Sequence, residues 1–251
     1  MSPDPRPWVL LRGLMRDRRH WGEFLDRFSA AFPDVPIVTL DFPGNGELHA
    51  QRSLATIEHT VAFCRAELQR SGLAPPYRVL AMSMGAMVAA DWAVRHPAEI
   101  EACVLINTSL RPFSRFWERL RPRVYPSVLR FAVLNPNARE AEAMVLQLTT
   151  TRRDRSVLPG WTAWRQATPV SKGNALRQLS AAMRYVAPRS APATKLLLLV
   201  GAGDSLVNPQ CSHKLAAAWG CALREHPSAG HDLPFDDADW VAAQVEDWLR
   251  D

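Results

Sequence analysis

Long apolar runs are absent from this 251-residue sequence. The longest, residues 196–203 with its glycines counted, is far shorter than the roughly 18 to 20 residues that a membrane-spanning helix needs. The first residues lack the three features of a secretory signal, which are a charged start, an apolar stretch and a small-residue cleavage site. We therefore expect no membrane span and a cytoplasmic location.

Cysteine pairs and nucleic-acid motifs are also missing. The four cysteines show no CxxC spacing and no histidines at metal-ligand spacing, which predicts buried, reduced thiols and neither a metal nor a cofactor. The chain has a net charge of +5, but no nucleic-acid module accompanies it, so nucleic-acid binding is not expected.

The composition is that of a folded domain, with 47% hydrophobic and 22% charged residues. Short apolar runs alternate with helical patterns, which is typical of a mostly parallel sheet covered by helices. We expect an α/β fold with six core strands, at residues 8–11, 35–40, 77–82, 103–107, 196–200 and 221–225. The helical patterns lie at residues 20–32, 53–71, 84–96, 209–219 and 237–250.

Residues 108–190 interrupt this alternation with aromatic, arginine-rich helical stretches that contain no convincing strand. The simplest interpretation is an insertion. We expect residues 1–107 and 191–251 to form the α/β core, and residues 108–190 to form a helical lid over the strand ends.

The strongest chemical signal is Ser83, which stands between an apolar strand and a helix. Small residues, Ala81 and Gly85, occupy the positions two before and two after it. A nucleophile on such a turn adopts strained backbone angles, and small neighbours let the strand and helix approach closely. Helix capping by Ser83 is the alternative interpretation.

Two further residues decide between these interpretations. Asp204 follows one late strand, and His231 lies in the loop after the next. Ser, Asp, His is the chain order of a catalytic triad on this kind of fold. Asp41 is a rival acid that comes too early in this order, and His226 is a rival base whose place at a strand end favours a structural role.

The proposed chemistry requires all three residues. His231 would remove the Ser83 proton, while Asp204 would fix the imidazole tautomer. The oxyanion would need backbone N–H donors, and we expect these at Met84 and Leu14.

These motifs resemble the α/β-hydrolase superfamily over almost the whole chain. The likeness includes the Gly13 loop, the segment 41–46, the Ser83 turn and the loops that carry Asp204 and His231. The arrangement is similar to small bacterial carboxylesterases of the pimeloyl-acyl-carrier methyl ester esterase kind. That resemblance implies a serine esterase with a helical lid, although Arg12-Gly13 replaces the family's His-Gly in the oxyanion loop.

Three activities fit these residues. The first is hydrolysis of a carboxylic ester, or of a thioester, which needs the same triad. Relatives of the same fold also use this constellation for carbon–carbon lyase or synthase reactions. The third possibility is a catalytically silent protein that only binds a ligand. Loss of a triad residue would indicate such a protein, and no triad residue is lost here.

Positive charge is concentrated in the insertion. Residues 108–190 hold 15 Lys plus Arg against four Asp plus Glu, a net of +11, whereas the rest of the chain has a net of −6. Such a surface attracts anionic partners. An acidic acyl carrier protein fits both this charge and the resemblance, with an anionic small substrate or a membrane surface as alternatives. Expected substrate or partner contacts are Arg12, Trp161, Arg115, Arg119 and Arg123.

Overall fold

The computed structural model describes residues 6–134, 136–152 and 154–250 and contains one six-stranded sheet. All strand pairs are parallel, and the order across the sheet is β2-β1-β3-β4-β5-β6. The strands are β1 (Trp8–Leu11), β2 (Ile37–Leu40), β3 (Tyr77–Met82), β4 (Ile100–Ile106), β5 (Lys195–Gly201) and β6 (Ala222–His226). The prediction of an α/β fold with a six-stranded parallel sheet is confirmed.

Helices cover both faces of the sheet. Those that belong to the core are α1 (Glu23–Ala31), α2 (Ile57–Arg70), α3 (Met84–Arg95), α9 (Gln210–Trp219), α10 (Leu233–Asp236) and α11 (Ala238–Arg250). The predicted core helices agree with the structure, except that residues 18–21 form a separate 3-10 helix before α1. Helix α3 ends at Arg95, because His96 precedes Pro97 and a residue that precedes proline is pushed out of the α region.

Alternate residues of each central strand enter two different apolar clusters. Val9 of β1 and Leu198 of β5 pack with α2 and α3 on one face, while Leu10 and Leu197 pack with α1 and α11 on the other. Burial on both faces explains why these strands are continuously apolar rather than alternating. The sheet therefore provides a rigid base for the loops at its carboxyl end.

The segment between β4 and β5 is helical. Its helices are α4 (Phe116–Arg119), α5 (Tyr125–Leu134), α6 (Ala138–Thr149), α7 (Leu158–Ala167) and α8 (Lys172–Arg184). We call residues 108–190 the helical insertion. It contacts loops that follow the strands: Gln178 accepts from the Met15 N–H after β1, and the Thr149 carbonyl accepts from the Asp232 N–H after β6. It therefore lies against the carboxyl end of the sheet.

In the described ranges, no helix is both long and apolar enough to cross a membrane. Within the same ranges, no group of three or more His, Cys, Asp or Glu side chains is arranged to hold a metal ion. The four cysteines are unpaired, and Cys64, Cys103 and Cys211 are buried.

Replacing Leu198 by alanine should destabilise the fold strongly. Leu198 is fully buried at the centre of β5, so truncation leaves a cavity and should cost about 2–5 kcal/mol of unfolding free energy. Leu176→Ala is the matched control: this leucine is 67% exposed, and its change should stay within about 0.5 kcal/mol. Urea unfolding measures both. Equal losses in the two variants would contradict this account of the core.

Candidate active site

Ser83 occupies a strained turn between β3 and α3. Its backbone has φ 54° and ψ −115°, a left-handed conformation that non-glycine residues rarely adopt. Gly85 makes the close approach possible, because an added Cβ would lie 2.5 Å from the Leu11 carbonyl oxygen and 2.6 Å from that of Arg12. The turn therefore presents Ser83 at the N-terminus of α3, against the end of β1.

Neighbouring strand ends hold the Ser83 backbone in place. Its N–H donates to the Ile106 carbonyl (2.9 Å), and its carbonyl accepts from the Thr108 hydroxyl (3.2 Å). Among the described residues, the Ser83 hydroxyl itself has no hydrogen-bond partner in the protein. Hydrogen bonds between nucleophile and base are often long before substrate binds and shorten in the complex.

Asp204 and His231 are in direct contact. Asp204 Oδ2 lies 2.7 Å from His231 Nδ1, and both side chains are buried. Asp204 Oδ1 accepts from the N–H groups of Leu206 and Val207, which fixes the carboxylate. When Nδ1 carries the proton that faces this carboxylate, Nε2 is left with its lone pair. The ring is therefore arranged to act as a base through Nε2.

Asn107 joins the end of β4 to the loop that carries His231 and to the end of β5. It directly follows β4 with φ 46°, and its amide group donates to the carbonyls of Gly230 (2.9 Å) and His231 (2.8 Å). Its side-chain oxygen accepts from the Gly201 N–H at the end of β5. Sequence analysis assigned Asn107 to a strand. The sequence signal for its role is that it is a polar residue at the end of a buried apolar strand.

Arg12 forms a buried ion pair with Asp232, the residue directly after His231. Its two terminal nitrogens lie 3.0 and 2.6 Å from the carboxylate oxygens, and its guanidinium lies over the Trp21 ring. Burial alone would raise the pKa of Asp232, but Arg12 outweighs it and holds that pKa below its usual range. Arg12 is only 2% exposed. We therefore correct its assignment from substrate contact to positioning of the His231 loop.

A second buried network connects the insertion to the loop that follows β1. Glu142 of α6 accepts from Arg16 (2.6 Å) and from Arg165 of α7 (2.5 Å). Arg16 also lies 3.0 Å from His20 Nε2. Burial, with Arg16 next, lowers the pKa of His20 to about 4. His20 is therefore neutral at pH 7 and accepts a hydrogen bond from Arg16.

The loop after β1 reaches the nucleophile. A Cβ added to Gly13 would lie 3.1 Å from Ser83 Cβ and 3.6 Å from its hydroxyl oxygen. Met15 has φ 58°, and its N–H is bound by Gln178. In the part of the chain that the structure covers, neither the Leu14 nor the Met84 N–H donates to a protein acceptor. Both remain predicted oxyanion donors.

Asp41 and His226, the alternative acid and base, have other partners. The Asp41 carboxylate accepts from the Arg18 N–H (2.6 Å), and burial raises its pKa to about 6. His226 Nε2 lies 3.2 Å from Asp237, while its Nδ1 accepts from the Ala229 N–H. These contacts give both side chains structural roles.

The remaining predicted contact residues differ in availability. Arg115 and Arg123 are exposed. Arg119, by contrast, donates to the Ala182 carbonyl (2.6 Å) at the end of α8, and burial lowers its pKa. We therefore assign Arg119 to holding α4 against α8. Trp161 is 4% exposed and packs in a small apolar cluster of the insertion.

A family model described as "Alpha/beta hydrolase family" matches residues 8–244. This chain belongs to the alpha/beta hydrolase family. The match includes the segments that carry Ser83, Asp204 and His231. No curated protein matches the chain.

Solved structures show the same fold at low sequence identity. The enol-lactonase from Burkholderia xenovorans LB400 is 22% identical with a TM-score of 0.79, covering 98% of this chain and 92% of that one. A thermophilic esterase from Thermogutta terrifontis is 22% identical with a TM-score of 0.74 (99% and 91% covered). A hydrolase from Pseudomonas aeruginosa PA01 is 18% identical with a TM-score of 0.76 (99% and 91%). At these identities the likeness concerns the fold alone.

Asn107→Ala should impair both stability and turnover. Two carbonyls and one N–H lose their partner, and each such loss inside a protein costs about 1–3 kcal/mol. The freed His231 loop should shift, which should lower kcat for an activated ester on the order of 100-fold. Asn208→Ala, which removes only a turn bond to the Gln210 N–H, is the control and should keep its activity. Equal kcat in the two variants would refute the positioning role.

Proposed function

We propose that this chain is a serine hydrolase that cleaves a carboxylic ester, or a thioester, through an acyl-enzyme intermediate. Two observations support the proposal: the buried contact between Asp204 and His231, and a serine held at a left-handed turn. Fold likeness gives no substrate, because many chemistries share one fold. The proposal therefore depends on the residues of the site.

Each residue has one task in the reaction. His231 Nε2 removes the proton of the Ser83 hydroxyl as that oxygen attacks the carbonyl carbon. The imidazolium is stabilised by Asp204 and returns the proton to the leaving alcohol or thiol. Water then attacks the acyl-enzyme, with His231 again as the base, and releases the carboxylic acid and free Ser83.

The charge on the tetrahedral intermediate needs donors that are already in place. We assign this role to the Met84 and Leu14 N–H groups, which lie directly after the nucleophile and directly after Gly13. The short distance from Gly13 to Ser83 supports the assignment. Loss of one such donor typically costs 100- to 1000-fold in rate.

For the substrate, we propose an acyl group presented by an acidic carrier protein, in keeping with the resemblance to pimeloyl-acyl-carrier methyl ester esterases. The helical insertion would act as the lid and docking surface. Its surface is basic and also apolar: in the described part of the chain, the large apolar side chains most exposed to solvent all lie within it. They are Phe116, Trp117, Tyr125, Val128, Leu129, Val133, Leu176, Met183 and Val186.

Removal of the nucleophile gives the most direct test. Ser83→Ala and His231→Ala should each lower kcat for a short-chain 4-nitrophenyl ester by at least about 1000-fold and leave the fold intact. Asp204→Asn should be impaired as well, since it loses the group that orients the imidazole. The matched control is Ser71→Ala, which alters an exposed serine at the end of α2 and should retain full activity.

Two outcomes would contradict this assignment. One is retention of more than about a tenth of the activity in Ser83→Ala, because removal of a triad member costs orders of magnitude. The other is covalent labelling of Ser83 by a fluorophosphonate without a burst of alcohol from any ester. That result would favour the lyase or synthase alternative, in which Ser83 and His231 act without acylation.

The carrier proposal predicts a selective effect of charge. Arg115→Glu with Arg123→Glu should lower kcat/KM several-fold at low salt for an acyl group on the carrier, and leave a small ester of the same acid unaffected. Arg70→Glu with Arg250→Glu makes the same change of charge at exposed positions of α2 and α11, outside the insertion, and should have little effect. Steady-state rates at increasing salt measure this. Salt-insensitive rates that are equal in all variants would refute the carrier as partner.

A further inference from the structure

Backbone strain is present in the loop after β1 as well as at the two residues already described. In the described part of the chain, the non-glycine residues with positive φ are Ser83, Asn107 and Met15. Such conformations persist only where the surrounding contacts enforce them, and they cluster at functional sites. Ser83 is the proposed nucleophile, and Asn107 holds the loop that carries His231. The third strained residue, Met15, directly follows Leu14, the proposed oxyanion donor.

Residues 13–16 form a tight turn. The Arg16 N–H donates to the Gly13 carbonyl (3.3 Å), and φ is positive at Met15 but not at Leu14. A positive φ at the third position alone is characteristic of a type II turn, which ordinarily has glycine there. The Gly13 carbonyl and the Leu14 N–H belong to one trans peptide and point in opposite directions. The turn bond therefore also sets the direction of the Leu14 N–H.

Gln178 of α8 makes the contact that enforces this turn. Its side-chain oxygen accepts from the Met15 N–H (2.9 Å), and the residue is only 3% exposed. In a type I turn Met15 would have a negative φ, and the Leu14–Met15 peptide would be turned over. The Met15 N–H would then point away from Gln178, and a buried acceptor would lose its donor, which costs free energy. Gln178 therefore favours the strained form.

The orientation of the Gln178 amide is fixed by its own partners. Its nitrogen donates to the Asn45 side-chain oxygen (2.7 Å) and to the Ser53 hydroxyl oxygen (3.0 Å). Asn45 presents its oxygen because its nitrogen donates to the Arg16 carbonyl of the same turn (3.0 Å). The Ser53 hydroxyl donates its proton to a backbone carbonyl in the loop after β2, so its oxygen is left as an acceptor. The Gln178 oxygen is therefore the atom that faces Met15.

We infer that Gln178 is a positioning residue for the proposed hydrolysis: it holds the turn after β1 in the form that directs the Leu14 N–H at the oxyanion. This role rests on the proposed function, because it concerns the donor to the tetrahedral intermediate. It gives the helical insertion a part in the reaction, since the donor is in place only while α8 lies on the turn. A displacement of about 1 Å in a catalytic group costs on the order of 100-fold in rate.

Removal of the amide tests this role. Gln178→Leu should lower kcat for a short-chain 4-nitrophenyl ester about 100-fold, while KM stays within about twofold because the oxyanion donor acts in the transition state. Gln166→Leu, at an exposed glutamine of α7, is the matched control and should keep full activity. The kcat is expressed per Ser83 that a fluorophosphonate labels, which corrects for unfolded enzyme. Equal kcat in the two variants would overturn the inference.

A glycine at position 15 separates positioning from packing. Glycine adopts a positive φ without strain, so Met15→Gly should keep the type II turn without help from α8 and recover at least about tenfold of the kcat that Gln178→Leu loses. A glutamine that only packs α8 against the core could not be replaced in this way. A double variant as slow as Gln178→Leu alone would overturn the inference.

A crystal structure of Gln178→Leu gives a readout that does not depend on activity. Met15 should have a negative φ in it, with the Leu14–Met15 peptide turned over, and an unchanged turn would overturn the inference. Failure of the proposed function is distinguishable, because the unmodified protein would then hydrolyse no ester while the change at Met15 persists. Gln178→Met, which keeps the length of the side chain and lacks the oxygen, takes the place of Gln178→Leu in every measurement if that variant folds poorly.

Discussion

Two consecutive residues at the end of β4, Ile106 and Asn107, connect the Ser83 turn with the loop that carries His231. The backbone carbonyl of Ile106 holds Ser83, and the next side chain holds the carbonyls of Gly230 and His231. The same side chain binds the end of β5, from which the chain turns to Asp204. Ser83, Asp204 and His231 are thus carried by the ends of β3, β5 and β6, and β4, which Asn107 follows, lies between β3 and β5. Their relative positions depend on the register of a sheet that is buried on both faces.

Electrostatics supplies the next level of organisation. Arg12–Asp232 fixes the loop that carries His231, and Glu142 between Arg16 and Arg165 fixes the insertion beside the loop that follows β1. Breaking a buried pair by removing one partner leaves an uncompensated charge, which is strongly destabilising. These pairs therefore restrict how the insertion can sit on the core.

Much of the framework could be predicted from local sequence. The apolar strands have clear boundaries because both of their faces are buried, and Ser83 is identifiable because only small neighbours fit around it. The Asp204 and His231 loops follow from chain order. These features depend on residues close together in the chain, for which periodicity and turn chemistry are informative.

Other features depend on pairings that no local pattern records. Arg12 meets Asp232 across 220 positions of sequence, so an arginine that looks available for a ligand is buried. Arg119 stands in a basic run, yet it binds carbonyls of a helix more than 60 residues away. The Asn107 amide could be seen as polar, but its three partners lie at the end of β5 and in the loop after β6. Sequence gives the residue types, while tertiary packing decides which charges remain free.

The two kinds of charge in this molecule have different responses to ionic strength. Salt screens exposed groups such as Arg115 and Arg123, whereas the buried pairs Arg12–Asp232 and Arg16–Glu142 are screened far less. A concentrated electrolyte would therefore remove the long-range field of the insertion while the geometry of the histidine loop persists. The exposed charges and the buried ion pairs are therefore separable in this fold, so ionic strength can change one without disturbing the other.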